Sequence, residues 1–245
     1  MAKQGEINYL KRIGEEGQTH SVNKPFSDPL CGRYLMEIGA IISLLPTPPA
    51  KLLDLGCGTG WTSIFFAKYG FNVVGQDISD DAIALAVKSA GGTQNIEFHC
   101  GDYESMPYRE EFDCAVFFES LHHAVDEECA LRNIYRGLRK GGICVVSEPG
   151  RGHGSSKVAL EAVKKYNVTE KSMPPTKVAQ LARKIGFGKV SFYPHCNILG
   201  LVIYNSNEIS VPLRHFFKIG LLRDLFVLGY IFILKRFSGL VVMVK

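Results

Sequence analysis

The stretch Leu52-Leu53-Asp54-Leu55-Gly56-Cys57-Gly58-Thr59-Gly60-Trp61 has the residue types and spacing that most directly suggest chemistry. An apolar run ends at Leu55, alternating glycines follow, and a helical pattern begins near Trp61. Such a loop lets a ligand approach backbone N–H groups at the positive end of a helix. The spacing narrows the choice of ligand. A dinucleotide fingerprint needs its third glycine three places after the second. Here the glycines stand at 56, 58 and 60, and Trp61 occupies the required position, which argues against hydride transfer. No Gly-Lys-Ser/Thr follows, so the loop is not a P-loop. Further on, Glu119, His122 and His123 lie close together in sequence, and each can take up a proton at a reacting centre.

These groups need a frame. Apolar runs predict strands over 51–55, 71–76, 96–100, 114–118 and 143–147, with two more over 189–193 and 240–244. Between them, helical stretches are expected over 61–69, from a Ser79 cap, from Asp126 through Leu138, and over 158–166 and 176–185. Before the first strand, Asp28-Pro29 reads as the start of a helix that runs through Leu35, Ile38, Ile41, Ile42 and Leu45 and stops at Pro46. Strands alternating with helices over short connections imply an α/β protein, a parallel sheet with helices on both faces.

On these residues the chain resembles the class I S-adenosylmethionine-dependent methyltransferases from about residue 51 to 193. The D-x-G-x-G-x-G pattern at the first strand is followed in order by Asp77 at the end of the second and Gly101-Asp102-Tyr103 after the third. Phe112-Asp113-Cys114-Ala115-Val116-Phe117-Phe118 is similar to the fourth strand, and Leu138-Arg139-Lys140-Gly141-Gly142 to the turn before the fifth. The resemblance implies a Rossmann-like, mostly parallel seven-stranded sheet and S-adenosyl-L-methionine as cofactor. It implies that Asp54, with Gly56, Gly58 and Gly60, serves the methionine end, and that Asp77 accepts from both ribose hydroxyls. Ile78 would pack on adenine, Asp102 would meet the adenine amino group beside Tyr103, and Phe118 would line the methionine pocket.

Methyl transfer is a direct displacement, so a general base helps only when the acceptor must lose a proton. Glu119, His122 and His123 are the catalytic candidates, with His20 as another base or a surface histidine. Glu119 stands where amino-methylating relatives carry Asp/Asn-Pro-Pro-Tyr, which argues against adenine, cytosine or glutamine as acceptor. The stretches 147–154 and 166–175 resemble methyltransferases of cell-surface polysaccharide and lipid-linked glycan synthesis. The expected acceptor is therefore a small molecule or a lipid-linked sugar, methylated at oxygen. A non-catalytic cofactor-binding or membrane-associated scaffold is the rival reading.

The 245 residues are 46% hydrophobic and 21% charged, the composition of a globular chain rather than a disordered one. Seven cysteines run from Cys31 to Cys196 without a C-x-x-C pair, which suits free thiols in a reducing, cytoplasmic setting and predicts no metal site. The net charge of +4 conceals a split: −7 over residues 1–150 and +11 over 151–245. The basic half is either a solvated face or a surface that meets an anionic acceptor or membrane. No nucleic-acid motif accompanies it, so nucleic acid is not expected. The N-terminus lacks the apolar core of a secretion signal. The longest uncharged run near the end, 225–234, is about half the ~20 residues of a spanning helix. The expected organisation is an N-terminal helical lid over 1–50, a cofactor core over 51–194, an insertion over 195–238 and a last strand over 239–245. Phe216, Phe217, Leu221, Leu222, Leu225, Phe226, Leu228 and Ile231 make the insertion apolar, and Lys218, Arg223, Lys235 and Arg236 flank them. That segment would pack on the sheet edge, form an acceptor pocket or lie at a membrane interface.

Overall fold

The computed structural model describes residues 2–196, 225, 229, 233, 235, 236 and 238–245. Three helices lead in: α1 (Ala2–Arg12), α2 (Gly14–Val22) and α3 (Cys31–Leu44). The alternating part follows as β1 (Lys51–Leu55), α4 (Trp61–Tyr69), β2 (Asn72–Asp77), α5 (Asp80–Ala90), β3 (Ile96–Cys100), β4 (Phe112–Phe118), α6 (Glu127–Gly137) and β5 (Leu138–Ser147). Helices α7 (Lys157–Tyr166) and α8 (Pro175–Ile185) precede β6 (Lys189–Tyr193) and β7 (Leu240–Val244). The seven strands lie in the order β3-β2-β1-β4-β5-β7-β6. The first five pair in parallel, and β7 is antiparallel to both β5 and β6.

Alternation along each strand sorts the core onto two faces. Leu53 and Leu55 of β1 join Phe112, Ala115 and Phe117 of β4 under α6 and α8. Leu52 joins Cys114, Val116 and Phe118 under α3 and α4, with Ile38, Ile41 and Phe66. Ser79 caps α5 by accepting from Ala82 N–H, and Asp126 caps α6 by accepting from Cys129 N–H.

Several sequence boundaries shift: β2 covers Asn72–Asp77 rather than 71–76, and β4 begins at Phe112 rather than 114. Asp28 closes a turn by accepting from Leu30 N–H at 2.7 Å, so α3 begins at Cys31. The turn at Gly141-Gly142 lies inside β5, which starts at Leu138; Gly141 adopts φ +79°, and the β4–β5 register shifts between Phe112 and Cys114. The 1–50 segment, expected to be helical, contains α1, α2 and α3. Of the 195–238 insertion, most lies outside the described residues, Lys218 and Arg223 included, and its expected roles go with it. Among the described residues, no helix is long and apolar enough to cross a membrane.

Candidate active site

Strand order reverses between β1 and β4, because β2 and β3 extend one way and β5 the other. Ligands of open α/β sheets bind at such a switch point, beyond the carboxyl ends of the strands. A cavity of about 280 Å³ lies there, lined by the loops after β1, β2, β3 and β4 and by the N-terminal helices.

The glycine loop forms one wall. Gly56 and Cys57 N–H both donate to Gln76 carbonyl oxygen, at 2.8 and 3.0 Å, tying the loop to β2. Gly58 N–H donates to Asp77 Oδ2 and Ser79 N–H to Asp77 Oδ1, each at 2.9 Å. Asp77 therefore fixes both the loop and the entry to α5 while facing the cavity. Burial pushes its carboxyl above the usual range, against the pull of these two amides. A Cβ on Gly58 (φ +54°) would meet no atom within 4 Å, so its backbone is open to the cavity. A Cβ on Gly56 would lie 2.5 Å from Ser120 Cβ, so close approach of β1 to β4 requires glycine there.

Gly60 and Asp54 take other places than expected. A Cβ on Gly60 would come within 2.9 Å of Ala86 and Phe98, and the residue is absent from the cavity lining. It is a packing glycine. Asp54 is only 1% exposed and also absent from the lining. The period of two along β1 puts it on the face of Leu52, beneath α4. There its Oδ2 accepts from Thr62 and Ser63 hydroxyls at 2.6 Å each, anchoring the first turn of α4 behind the loop. Burial raises its carboxyl to about 6, against those two hydroxyls.

Ile78, Asp102, Tyr103, Phe118 and Trp61 all line the cavity. Asp102 Oδ1 accepts from Glu104 N–H at 2.8 Å, while Lys3 of α1 pairs with its Oδ2 and with Glu104. Tyr103 hydroxyl donates to Ser120 carbonyl oxygen at 3.1 Å. Phe118 meets Trp61 edge-on at 5.4 Å, and Tyr34 stands 6.1 Å from Phe118.

The three base candidates separate. Glu119 lines the cavity at φ +49°, and its Oε1 accepts from Arg33 at 3.3 Å. His123 also lines it, with Nδ1 donating to Thr169 carbonyl oxygen at 2.7 Å and 3.5 Å from Glu6 Oε1. Burial opposes its charge, but Glu6 and Glu170 raise it to about 9, so His123 is protonated at neutral pH and is not a base in that state. His122 is 5% exposed and absent from the lining. Its Nδ1 donates to Glu148 Oε2 at 2.6 Å. His20 lies outside the lining too, 3.4 Å from Asp28.

Several residues that shape the site were not among the sequence candidates. Glu148, 3% exposed, accepts from Ser120, Leu121 and His122 N–H at 2.8, 2.6 and 3.2 Å and so holds the whole turn after β4. Burial disfavours its charge, but His122 and these amides hold its pKa below the usual carboxylate value. Lys3, Glu6, Tyr9 and Leu10 of α1 and Ser21 of α2 also line the cavity. These helices are tied down by Ser79 hydroxyl donating to Ile7 carbonyl oxygen at 3.0 Å and Thr59 hydroxyl donating to Ser21 carbonyl oxygen at 2.8 Å.

Residues 53–146 match the family model described as a methyltransferase domain. Over 111 residues the chain is 34% identical to the ubiquinone biosynthesis O-methyltransferase of Bradyrhizobium sp. (strain ORS 278), a match covering 45% of this chain and 44% of that protein. It is 31% identical over 108 residues to phosphoethanolamine N-methyltransferase 1 of Triticum aestivum, covering 43% of this chain and 22% of that one. The chain thus spans less than half the length of these relatives. In fold it is similar to Haemonchus contortus phosphoethanolamine N-methyltransferase 2 in complex with S-adenosyl-L-methionine, with TM-score 0.66, 17% identity, and coverage of 98% of this chain and 59% of that one. The match to a methyltransferase domain thus covers residues 53–146, and the seven-stranded, mostly parallel sheet shares the Rossmann-like fold of that structure. That structure holds S-adenosyl-L-methionine.

The residues present suit that cofactor. Gly58 leaves the backbone open, Asp77 and Asp102 offer carboxylates at the ends of β2 and β3, and the Phe118–Trp61 pair offers an apolar wall beside polar backbone.

Proposed function

We propose that this protein is a methyltransferase that moves the methyl group of S-adenosyl-L-methionine to a hydroxyl of a small or lipid-linked sugar acceptor, and that the acceptor is anionic. The observation that carries the reading is the cavity at the β1/β4 switch point, whose lining brings together Gly58, Asp77, Asp102 and Glu119. Bound cofactor supplies an electrophilic methyl on a sulfonium with a good leaving group. The chain does the rest. Asp77 and Asp102 receive hydroxyl and amino donors, since each carboxylate oxygen keeps a lone pair beyond those used by the backbone amides. Gly58 admits the ligand against the loop. The Phe118–Trp61 wall excludes water from the methyl end.

Oxygen is favoured as the acceptor atom because the acceptor side carries a carboxylate. A neutral amine attacks with its own lone pair, whereas a hydroxyl must lose a proton. Glu119 would take it: it lines the cavity, and its carboxylate accepts from Arg33. Helices α1 and α2 form a lid over the cofactor. Seven free thiols fit a cytoplasmic setting. The basic half of the chain, +11 over residues 151–245, supports the anionic acceptor and peripheral contact with an anionic membrane.

The test is transfer of labelled methyl from the cofactor to lipid and glycan extracts. Label in an acid-stable, anionic lipid or sugar product supports the proposal. Label only in amines rules out the oxygen assignment, and no label in any extract favours a cofactor-binding scaffold.

A further inference from the structure

The methyl-transfer reading leaves one cluster beside the cavity without a task. His122 and His123, in the 3-10 turn after β4, and Glu170, in the connection between α7 and α8, place ligand atoms within 4.8 Å of one another. Glu148, whose oxygens already accept from three backbone N–H groups, lies 2.6 Å from His122 Nδ1, so Nδ1 donates to it and Nε2 faces Glu170 Oε2, 3.5 Å away. His123 Nδ1 donates to a carbonyl oxygen, that of Thr169, which leaves Nε2 as its ligating atom. Glu170 Oε2 is held in turn by His153 Nε2 at 2.7 Å. Each of the three groups therefore has an outer partner that fixes its orientation, as metal-ligating imidazoles and carboxylates require. Glu6, 3.5 Å from His123, and Glu148 add negative charge around the cluster.

We propose that His122, His123 and Glu170 bind one divalent cation of the borderline type, represented by Zn²⁺, at the edge of the cofactor cavity. Two imidazole nitrogens and one carboxylate oxygen make a Zn²⁺ donor set with positions left open, whereas Mg²⁺ takes oxygen ligands. His123 lines the cavity, so the ion borders the space where an acceptor oxygen would lie. The ion takes His123 as a neutral imidazole, and a proton carried on Nε2 leaves for solvent as it binds. The site stands independently of the methyl-transfer reading, and its test needs no turnover.

Full-length protein stripped with chelator is titrated calorimetrically with ZnCl2 and, separately, with MgCl2. One Zn²⁺ per chain is expected, with Mg²⁺ at least a hundredfold weaker. Glu170→Gln, which keeps the side-chain shape, should weaken Zn²⁺ by at least tenfold with an unchanged near-UV circular dichroism spectrum. His153→Ala, removing an outer partner, should weaken it by about tenfold. Co²⁺-loaded protein should show visible ligand-field bands without thiolate charge transfer. Absence of Zn²⁺ binding, equal affinity in wild type and Glu170→Gln, or a thiolate band from one of the seven cysteines would each overturn the site.

Discussion

Replacing Asp54 by Asn tests whether this carboxylate serves the glycine loop from behind at an electrostatic cost. Asp54 is buried, its Oδ2 holds Thr62 and Ser63, and its Oδ1 meets no hydrogen-bond donor. Its carboxyl rises from 3.8 to about 6 on folding. The folded state therefore holds this proton more tightly than the unfolded chain does. The associated stability is present below pH 3.8 and lost as pH rises to about 6. That interval is worth about 3 kcal/mol at 1.36 kcal/mol per pH unit. Asn keeps one oxygen for the two hydroxyls but buries an amide without an acceptor, costing about 1–3 kcal/mol at every pH. That fixed cost cancels when the variant is compared with wild type across pH. Urea unfolding followed by Trp61 fluorescence should show Asp54→Asn gaining about 3 kcal/mol relative to wild type between pH 3.8 and pH 7. A stability difference independent of pH would refute the reasoning.

Glycine substitutions should separate two roles in one loop. Gly58→Ala meets open space and bears only the left-handed strain of about 1–2 kcal/mol, yet should weaken S-adenosylmethionine at least tenfold by filling the cavity. Gly56→Ala, with its Cβ 2.5 Å from Ser120, should lower the melting temperature more than Gly58→Ala does. Glu119→Gln should reduce kcat by about a hundredfold or more with cofactor Kd unchanged in calorimetry; an unchanged kcat removes Glu119 from the base role. Replacing Lys218, Arg223, Lys235 and Arg236 together should raise the acceptor KM and leave cofactor Kd alone, and an unchanged KM would mark that region as a solvated face.

The frame was legible because its signals are local. Strands β1, β3, β6 and β7 and helix α4 have the bounds that apolar runs and helical periodicity predict, and Ser79 and Asp126 cap as their types require. The beginning of β5 was not legible, since Arg139-Lys140-Gly141-Gly142 has loop composition; Leu138 pairs with Phe112 of β4, and Gly141 and Gly142 bond to Lys245 beyond β7. Helix α1 gave no clear signal either. Its hold on the core runs through contacts distant in sequence, Lys3 with Asp102 and Glu6 with Thr169 N–H at 2.6 Å. Asp77, Asp102, Phe118 and Glu119 could be placed on the cavity from their positions at strand ends. Asp54 could not, because a motif gives spacing while the pleat decides which face a side chain takes. The His122–His123–Glu170 cluster was hidden for a related reason. Cysteine spacing in this sequence carries no metal signal, and Glu148, His153 and Glu170 reach the histidines through the fold alone.

Calorimetric titration of the protein with S-adenosyl-L-methionine and S-adenosyl-L-homocysteine tests the central claim most directly. One micromolar-range site per chain is expected for wild type. Asp77→Asn should weaken both ligands by tenfold or more, because it removes the carboxylate that both faces the cavity and holds Gly58. Absence of binding by wild type, or equal affinity in Asp77→Asn, would contradict the placement of the cofactor at the β1/β4 switch point.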